Sequence, residues 1–516
     1  MIFLIHRNAY EFLRAIKEEE KLSLKSRSII QVFWELAEKF PAELIIWCEE
    51  EYFSGIDKNK IKAAFPTKNV MASYSIKSRF IPDQIGYIDQ LPFVKPNLNV
   101  KYASWLMSSD IGGIYGESAL SFKKILYNIS NFEYLLSSIA KIGQQNSLFC
   151  YLNPSIFNVK QNLSLKSKAK TVDLFGFVAQ HYNQQWLWIL FFCYWKYEKK
   201  FPIIALGKSF FLKSFFKKKV KIKMEKEKKK FTKVDQSIDV IIPTLSRSGY
   251  IKNLLHDFAN QTKLPERVII IEQDPDPTSI SKLPFLKEQW PFKIVHHFIH
   301  QTGACNARNL ALKEVRSNWV LFADDDIRIE PRLLENSLKE LKRLGVNCLN
   351  LNSLQPGEKT VFSKIKQWGA FGSANALVKS EYALKCKFSK YLEFGFGEDI
   401  DYGMQLRNLG CDIIYHPDLK FTHLKAKTGG FRTPGINEWK EQDLEPKPSP
   451  TMMFLIKQYY SSPMVKGFKI SLFIKYYRNQ KIINPFLYFR SMQKRWKLSE
   501  SLCERLDTLD TTETKR

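Results

Sequence analysis

The run WVLFADDDIRI, residues 319–329, ends an apolar strand-like segment in three acids, Asp324, Asp325 and Asp326. On an extended chain alternate side chains share a side, so Asp324 and Asp326 converge while Asp325 faces away. Two convergent carboxylates at the carboxyl edge of a parallel sheet suit a hard divalent ion that also holds a phosphate. An acidic turn after a strand is the plain alternative. In GFGEDIDYGMQLRNLG, residues 395–410, two glycines let the backbone turn before Glu398, Asp399 and Asp401. Those acids fall at or just before a helix start, where negative charge is favoured, and by themselves they equally describe an ordinary helix cap. RVIIIEQD closes on Glu272 and Asp274, where an acid can accept hydrogen bonds from a base or ribose. Arg308, in GACNARNLAL, is a candidate diphosphate contact, the alternative being a surface helix cation.

The elements that must position these residues follow from the spacing of apolar residues. DVIIPT (239–244), RVIIIEQD (267–274), KIVHHF (293–298) and WVLFADDD (319–326) are short β-branched and apolar runs. Amphipathic stretches such as YIKNLLHDFANQT and GACNARNLALKEV separate most of them, so strand and helix alternate. That alternation predicts an α/β domain with a mainly parallel sheet over 235–432. Residues 1–205 mix helical stretches, such as SIIQVFWELAEKF, with strand-like runs such as ELIIWC, and are expected to form a separate α/β domain. A lysine-rich linker (206–234) divides the two, and a basic, aromatic helical segment with a polar, disordered tail (433–516) follows.

At this level the chain resembles the family 2 glycosyltransferases, inverting enzymes of the GT-A fold that use nucleotide sugars. The resemblance spans about residues 237–432 and rests on ordered motifs: DVIIPT, RVIIIEQD, GACNARNLAL as G-x-x-x-A-R-N, FADDD and GFGEDIDYGMQLRNLG. It implies a GT-A-like catalytic domain and a nucleotide-sugar site that includes Pro243, Thr244, Arg308, Asp324 and Asp325. The second strand ends in IEQDP where the family commonly has V-D-D-G-S, leaving open whether Glu272 or Asp274 meets the base. The resemblance further implies that Asp399 deprotonates the acceptor hydroxyl, with Glu398 as its understudy. It implies a metal, Mn2+ or Mg2+, on Asp324 and Asp326, with a histidine after the acidic helix start as a further ligand. His423 fits that role better than His416, because it lies at a strand end beside the Gly429-Gly430 pair. GSANALVKS and Trp368 resemble the acceptor and sugar-contact region, which assigns Trp368, Gly372 and Asp401 there. Trp368 equally suits a core position.

The 516 residues carry a net charge of +27, while 45% hydrophobic content excludes a mostly disordered chain. The charge is concentrated: residues 208–233 hold +10 and residues 446–499 hold +11. The body is nearly neutral. Zinc-finger, RNA-recognition and heptad signatures are absent, so no nucleic-acid partner is expected. A Gly-rich loop after the first strand is also missing, which argues against a sugar-phosphate nucleotidyltransferase. A catalytically inactive glycan or nucleotide-sugar binder is the remaining alternative. Aromatics interleave with lysines in SFFLKSFFKKKVKIK and in FLIKQYYSSPMVKGFKISLFIKYYRNQ, as in helices lying on an anionic bilayer, the alternative being helices packed on the core. The expected partners are therefore a nucleotide-sugar donor, a glycan or lipid-linked acceptor and an anionic membrane surface.

Eight scattered cysteines without a CxxC pair favour a reducing compartment. The short apolar start MIFLI gives no signal-peptide core. The longest apolar run, WLWILFFCYW (186–195), is about half of what a bilayer-spanning helix needs. It reads as a buried or interfacial element. Together these features predict a cytoplasmic protein, peripheral on the inner face of the cell membrane, working in surface-polysaccharide synthesis.

Overall fold

A computed structural model describes residues 1–157, 166–224, 236–393, 395–426, 439 and 444–513. Most of the lysine-dense part of the linker (225–234) and the Gly429-Gly430 pair lie outside the described residues. The chain forms two compact units. The first comprises residues 1–226, 364–369 and 460–474; the second comprises 227–363, 370–459 and 475–516.

The first unit is α/β. Its strands are β1 (Ile2–Arg7), β2 (Glu11–Lys17), β3 (Glu20–Lys21), β4 (Leu44–Glu49), β5 (Val70–Tyr74), β6 (Ser78–Arg79), β7 (Tyr102–Ala103), β8 (Ile111–Tyr115), β9 (Phe149–Leu152) and β10 (Lys166–Ser167). Its main sheet has the order β3-β2-β1-β4-β8-β5-β9-β7. Helices Ile29–Lys39 and Phe132–Gly143 each turn an apolar face to the core, burying Phe33 and Leu36, and Leu135 and Ile139. Residues 364–369 belong to this unit through Gln367, whose amide oxygen accepts from Cys150 N–H at 2.8 Å and whose amide nitrogen donates to the Cys150 carbonyl at 3.2 Å.

The second unit contains β11 (Ile238–Leu245), β12 (Arg267–Gln273), β13 (Lys293–Ile299), β14 (Trp319–Ala323), β15 (Ile327–Ile329), β16 (Cys348–Leu354), β18 (Asn375–Lys379) and β19 (Ile414–His423); β17 (Lys366–Gln367) lies in the 364–369 segment. The sheet order is β13-β12-β11-β14-β18-β16-β19-β15. Strands β11 to β14 run parallel, β18 is antiparallel to both of its neighbours, and β16 and β19 run parallel to each other. The all-apolar runs of β12 and β14 are buried throughout, as a sheet covered on both faces requires, while β13 is half-exposed at the edge. This is an α/β architecture with a mainly parallel sheet, as expected, and a helical C-terminal part follows.

Because β18 reverses direction, its start lies at the same edge as the ends of β11, β12, β14 and β19. That edge is the usual ligand position in open α/β sheets.

The strand β14 stops at Ala323, so the three acids stand in a turn rather than on an extended chain. At the C-terminus, helices Pro450–Tyr459, Ser462–Tyr477 and Pro485–Glu513 bury Leu455, Ile456, Ile470, Phe473 and Trp496. The last helix runs into the polar tail that sequence assigns no structure; no Gly or Pro follows Pro485 to end it. No helix among the described residues is long and apolar enough to cross a membrane. All eight cysteines are buried and free.

The path β1-β4-β8-β5-β9 is parallel, antiparallel, antiparallel, parallel, and β11-β14-β18-β16-β19 repeats that series. Leu44–Cys48 pair with Tyr115–Ile111 as Trp319–Ala323 pair with Lys379–Asn375, residue for residue. Glu49, Glu50 and Glu51 therefore follow Cys48 just as Asp324, Asp325 and Asp326 follow Ala323. The two sheets differ at their edges, where the hairpin β2–β3 stands in place of the parallel β12 and β13.

Candidate active site

Asp324, Asp326 and His423 each offer a ligand atom within 4.8 Å of the others. Sheet register explains the histidine: β19 pairs with β15 so that His423 lies opposite Ile327, the residue after Asp326. His423 Nε2 is 3.1 Å from Asp326 Oδ1. His416 instead pairs opposite Leu351 in the sheet and contacts Glu340 at 2.8 Å. Burial alone would raise the Asp326 carboxyl, but His423, the Ala426 N–H at 2.8 Å and Arg247 outweigh it and hold it at about 2. In turn Asp326 raises the His423 imidazole. Two carboxylates and one imidazole converging on one point are the donor set that Mn2+ or Mg2+ takes, so the residues present fit the ion.

Asp325 turns the other way. Its oxygens accept from Thr244 Oγ1 and Arg247 Nη1, both at 2.7 Å. Burial pushes its carboxyl up to about 6 against those two partners. Thr244 and Asp325, both placed at the nucleotide by sequence, are thus spent on each other, locking the end of β11 to the acidic turn. Pro243 pairs opposite Ile271 one residue earlier. Arg247 was not singled out by sequence: TLSRS carries no motif signal, and only the fold brings it within 3.5 Å of Asp326.

Arg308 links the two acidic clusters. It lies on helix Ala304–Glu314, is buried, and donates through Nη2 to Asp324 at 3.0 Å. Its Nε and Nη1 have no hydrogen-bond partner among the described residues. The positive charge of Arg308 also acts on Asp399 and Glu398. A buried guanidinium with two unused donors is costly unless an anion completes it.

Helix Glu398–Asn408 begins at Gly397, whose φ of +115° lies in the left-handed region and whose missing Cβ leaves room for Leu455. Glu398, Asp399 and Asp401 then occupy the first helical turn. Asp399 accepts from Ser373 N–H at 3.2 Å, on the loop that leads into β18. Burial raises the Asp399 carboxyl against the opposing pull of Arg308 and Ser373. Burial and the charge of Asp399 push Glu398 up to about 7. A carboxyl poised this high is matched to proton transfer near neutrality.

The remaining sequence candidates have other partners. Glu272 accepts from Ser281 Oγ at 2.6 Å and Lys282 N–H at 3.0 Å, and contacts His296 at 2.9 Å. Asp274 takes Lys282 Nζ at 3.0 Å, which lowers its carboxyl. Both oxygens of Asp401 are occupied, by Tyr459 at 2.5 Å and Gln405 at 2.7 Å, pinning this helix to helix Pro450–Tyr459. A Cβ on Gly372 would fall 1.7 Å from Asn375 Oδ1, so close packing requires the glycine. Trp368 lies on the 364–369 segment of the first unit, its ring 4.7 Å from Lys366 Nζ.

Glu393 is a further residue without a sequence signal. Its carboxylate accepts from Cys305 and Asn306 N–H at 2.9 and 2.8 Å, capping the helix that carries Arg308. Gly303, at φ +144°, admits it: a Cβ there would come within 2.4 Å of the Glu393 carboxyl carbon.

A base in this environment must be ionised, so turnover is expected to fall as pH drops through the raised carboxyl pKa values. The acid limb of kcat/KM should lie above the ordinary carboxyl range of about 4, because burial raises Asp399 and pushes its neighbour Glu398 up to about 7. In Glu398→Gln the limb should move to lower pH, as one of the two coupled carboxyls is removed. A pH–rate profile with an acid limb at about 4 in the unaltered chain would contradict this.

Residues 239–386 match the family model Glycosyl transferase family 2. An uncharacterized glycosyltransferase of Haemophilus influenzae is 27% identical over 109 residues, which is 20% of this chain and 35% of that protein. The chain thus spans about a third of the length of this curated relative. Among solved structures, S. aureus TarS 1-349 in complex with UDP-GlcNAc is 15% identical with a TM-score of 0.37, covering 53% of this chain and 83% of that one. The mannosyltransferase PcManGT from Pyrobaculum calidifontis in complex with GDP-Man and Mn2+ is 17% identical with a TM-score of 0.31, covering 54% and 79%.

Proposed function

We propose that this chain, whose residues 239–386 belong to family 2 of the glycosyltransferases, moves a hexose or N-acetylhexosamine with inversion from a UDP-sugar to an acceptor hydroxyl. The acceptor in this reading is a glycan or lipid-linked glycan of a surface polysaccharide, met at an anionic membrane. The observation that supports it best is the convergence of Asp324, Asp326 and His423, with Asp324 bound to Arg308 and the Arg308 charge felt by Glu398 and Asp399.

Asp324, Asp326 and His423 would hold Mn2+ or Mg2+, which when bound supplies positive charge for a diphosphate leaving group. Arg308, desolvated and with two donors unspent, binds a phosphate oxygen and keeps Asp324 oriented. Asp399 takes the proton of the acceptor hydroxyl as its oxygen bonds to the anomeric carbon. The bond from that carbon to the diphosphate breaks on the opposite face, and the nucleoside diphosphate leaves with the electron pair. Ser373 N–H fixes the Asp399 carboxylate, and burial raises its basicity. A panel of nucleotide sugars with and without Mn2+ tests the reading through product formation and thermal stabilisation. Neither response with any donor would contradict it.

The first unit is, in this reading, a degenerate copy of the transferase frame that serves as an accessory domain. Two of its three glutamates have partners of opposite charge: Glu50 meets Arg7 at 2.9 Å and Arg14 at 3.0 Å, and Glu51 binds Lys77 at 2.5 Å. Glu49 accepts from Asn8 N–H at 2.6 Å and contacts His6 at 3.2 Å. Carboxylates held by cations are poorly placed to take a metal. The triple variant Glu49→Gln/Glu50→Gln/Glu51→Gln should keep its Mn2+-dependent turnover within about two-fold, since the catalytic residues of this reading all lie in the second unit, and the exposed pairs of Glu50 and Glu51 contribute at most about 1 kcal/mol each to stability. A loss approaching that of an Asp326 variant would assign a catalytic role to the first unit.

A further inference from the structure

In the first unit, residues 185–219 expose large apolar side chains to an unusual extent. Phe211 is 91% exposed, Ile204 72%, Ile203 65% and Phe201 62%, with Trp188 and Trp195 about half exposed. Ring contacts pair four of the aromatics in this stretch, Trp188 with Phe210 at 5.9 Å and Trp195 with Phe201 at 6.1 Å. Exposed apolar surface of this kind marks a contact with a protein or a membrane. The charges around it choose between the two. Residues 185–219 contain eight lysines and a single acid, Glu198. That acid is turned inward, accepting from Tyr87 Oη at 2.5 Å. Within this stretch the apolar residues are thus interleaved with exposed cations, and no exposed carboxylate lies among them.

We propose that this surface, built from helices Gln185–Cys193 and Ile203–Ser209 and the turn after them, docks into the interface of an anionic bilayer. It deepens the reading of a transferase working at an anionic membrane and rests on that reading for its purpose. The nine-residue helix Gln185–Cys193 is far short of the roughly 20 residues needed to span, so it lies along the surface. Tryptophan suits that depth, with an apolar body and a polar N–H at the headgroups. Phe211, Ile203 and Ile204 enter the acyl boundary while Lys208, Lys213 and Lys217 meet lipid phosphates. The linker motif SFFLKSFFKKK carries half of this surface, and the run read from sequence as buried or interfacial carries the other half.

The test uses the full chain and flotation with vesicles of phosphatidylcholine alone or mixed with phosphatidylglycerol at 0.15 M salt. The unaltered chain should float with the mixed vesicles and far less with phosphatidylcholine. Ile203→Ser/Ile204→Ser/Phe211→Ser should lower partitioning at least about ten-fold. Lys213→Gln/Lys217→Gln/Lys218→Gln should lower it about five-fold per lysine on the anionic vesicles only. As a control, Ile483→Ser/Phe486→Ser, at an exposed apolar site of the second unit, should leave it within about two-fold. These side chains are exposed, so unchanged thermal melting confirms folding. Absence of flotation, full retention in the serine triple variant, or loss carried by the control variant would each overturn the proposal. So would concentration-dependent self-association that the serine variant abolishes, which would make the surface a protein contact. Donor turnover without vesicles is read on the same preparations. Flotation without turnover sinks the transferase reading alone, and turnover without flotation sinks the docking alone.

Discussion

Asp399→Asn should lower turnover by about 10²- to 10⁴-fold while leaving the affinity for the nucleotide sugar unchanged within about two-fold. The expected size follows from position. Asp399 is half-buried at the start of helix Glu398–Asn408, is fixed by the Ser373 N–H at 3.2 Å, and has a carboxyl raised by burial. The amide keeps the shape and can still accept that hydrogen bond, but it takes no proton. The loss should therefore fall on kcat rather than on donor KM, as expected when an interaction matters only in the transition state. The neighbouring Glu398 is the internal control. If it serves only to set basicity, Glu398→Gln shifts the pH profile and keeps most of the rate at high pH. Near-normal turnover in Asp399→Asn, together with collapse in Glu398→Gln, would exchange their roles.

Asp326→Asn should abolish metal-dependent turnover, by about 10³-fold or more, and with it the thermal stabilisation that Mn2+ gives the unaltered chain. Asp326 is the best-connected of the three acids. It contacts His423 at 3.1 Å and Arg247 at 3.5 Å, and accepts from Ala426 N–H at 2.8 Å. Its carboxyl is held at about 2, so it is ionised at any working pH. The amide loses the charge that a hard cation needs, and leaves Arg247 and His423 facing one another with less to balance them. Asp325→Asn should behave differently. Asp325 is bound to Thr244 and Arg247, so its loss should lower the melting temperature as well as the rate. Mn2+ titration monitored by calorimetry and melting separates the two. Intact Mn2+ binding in Asp326→Asn would remove it from the metal set.

Much of the frame was legible in the chain itself. The apolar runs at 239–244, 267–274, 293–298 and 319–326 became β11 to β14, because a strand covered on both faces must be apolar throughout. The ordered motifs located the acids and Arg308. What spacing could not supply was the direction in which each side chain would turn. Asp324 and Asp326 were expected to converge as alternate residues of a strand, yet they do so across a turn, with Asp325 fixed between β11 and Arg247. Glu272 and Asp401, equally acidic and equally near the edge, have their oxygens committed to neighbours within the unit. A sequence shows an acid without showing who already holds it.

The same limit applies to the basic stretches. Composition established that +27 is concentrated in two segments rather than spread over the body. It treated their aromatics alike. Folding separated them: in the C-terminal segment Tyr459, Phe473 and Trp496 are packed away while Phe486 is exposed, and in the linker Phe215 is packed away while Phe211 remains in the open. The chain by itself therefore determined where the strands β11 to β14 lie and where the acidic motifs fall, since these depend on local periodicity and residue type. Tertiary structure decided which carboxylates remain available, that His423 rather than His416 joins the acids, and which aromatics face solvent. Each of these depends on contacts between residues far apart in sequence, and local periodicity carries no record of them.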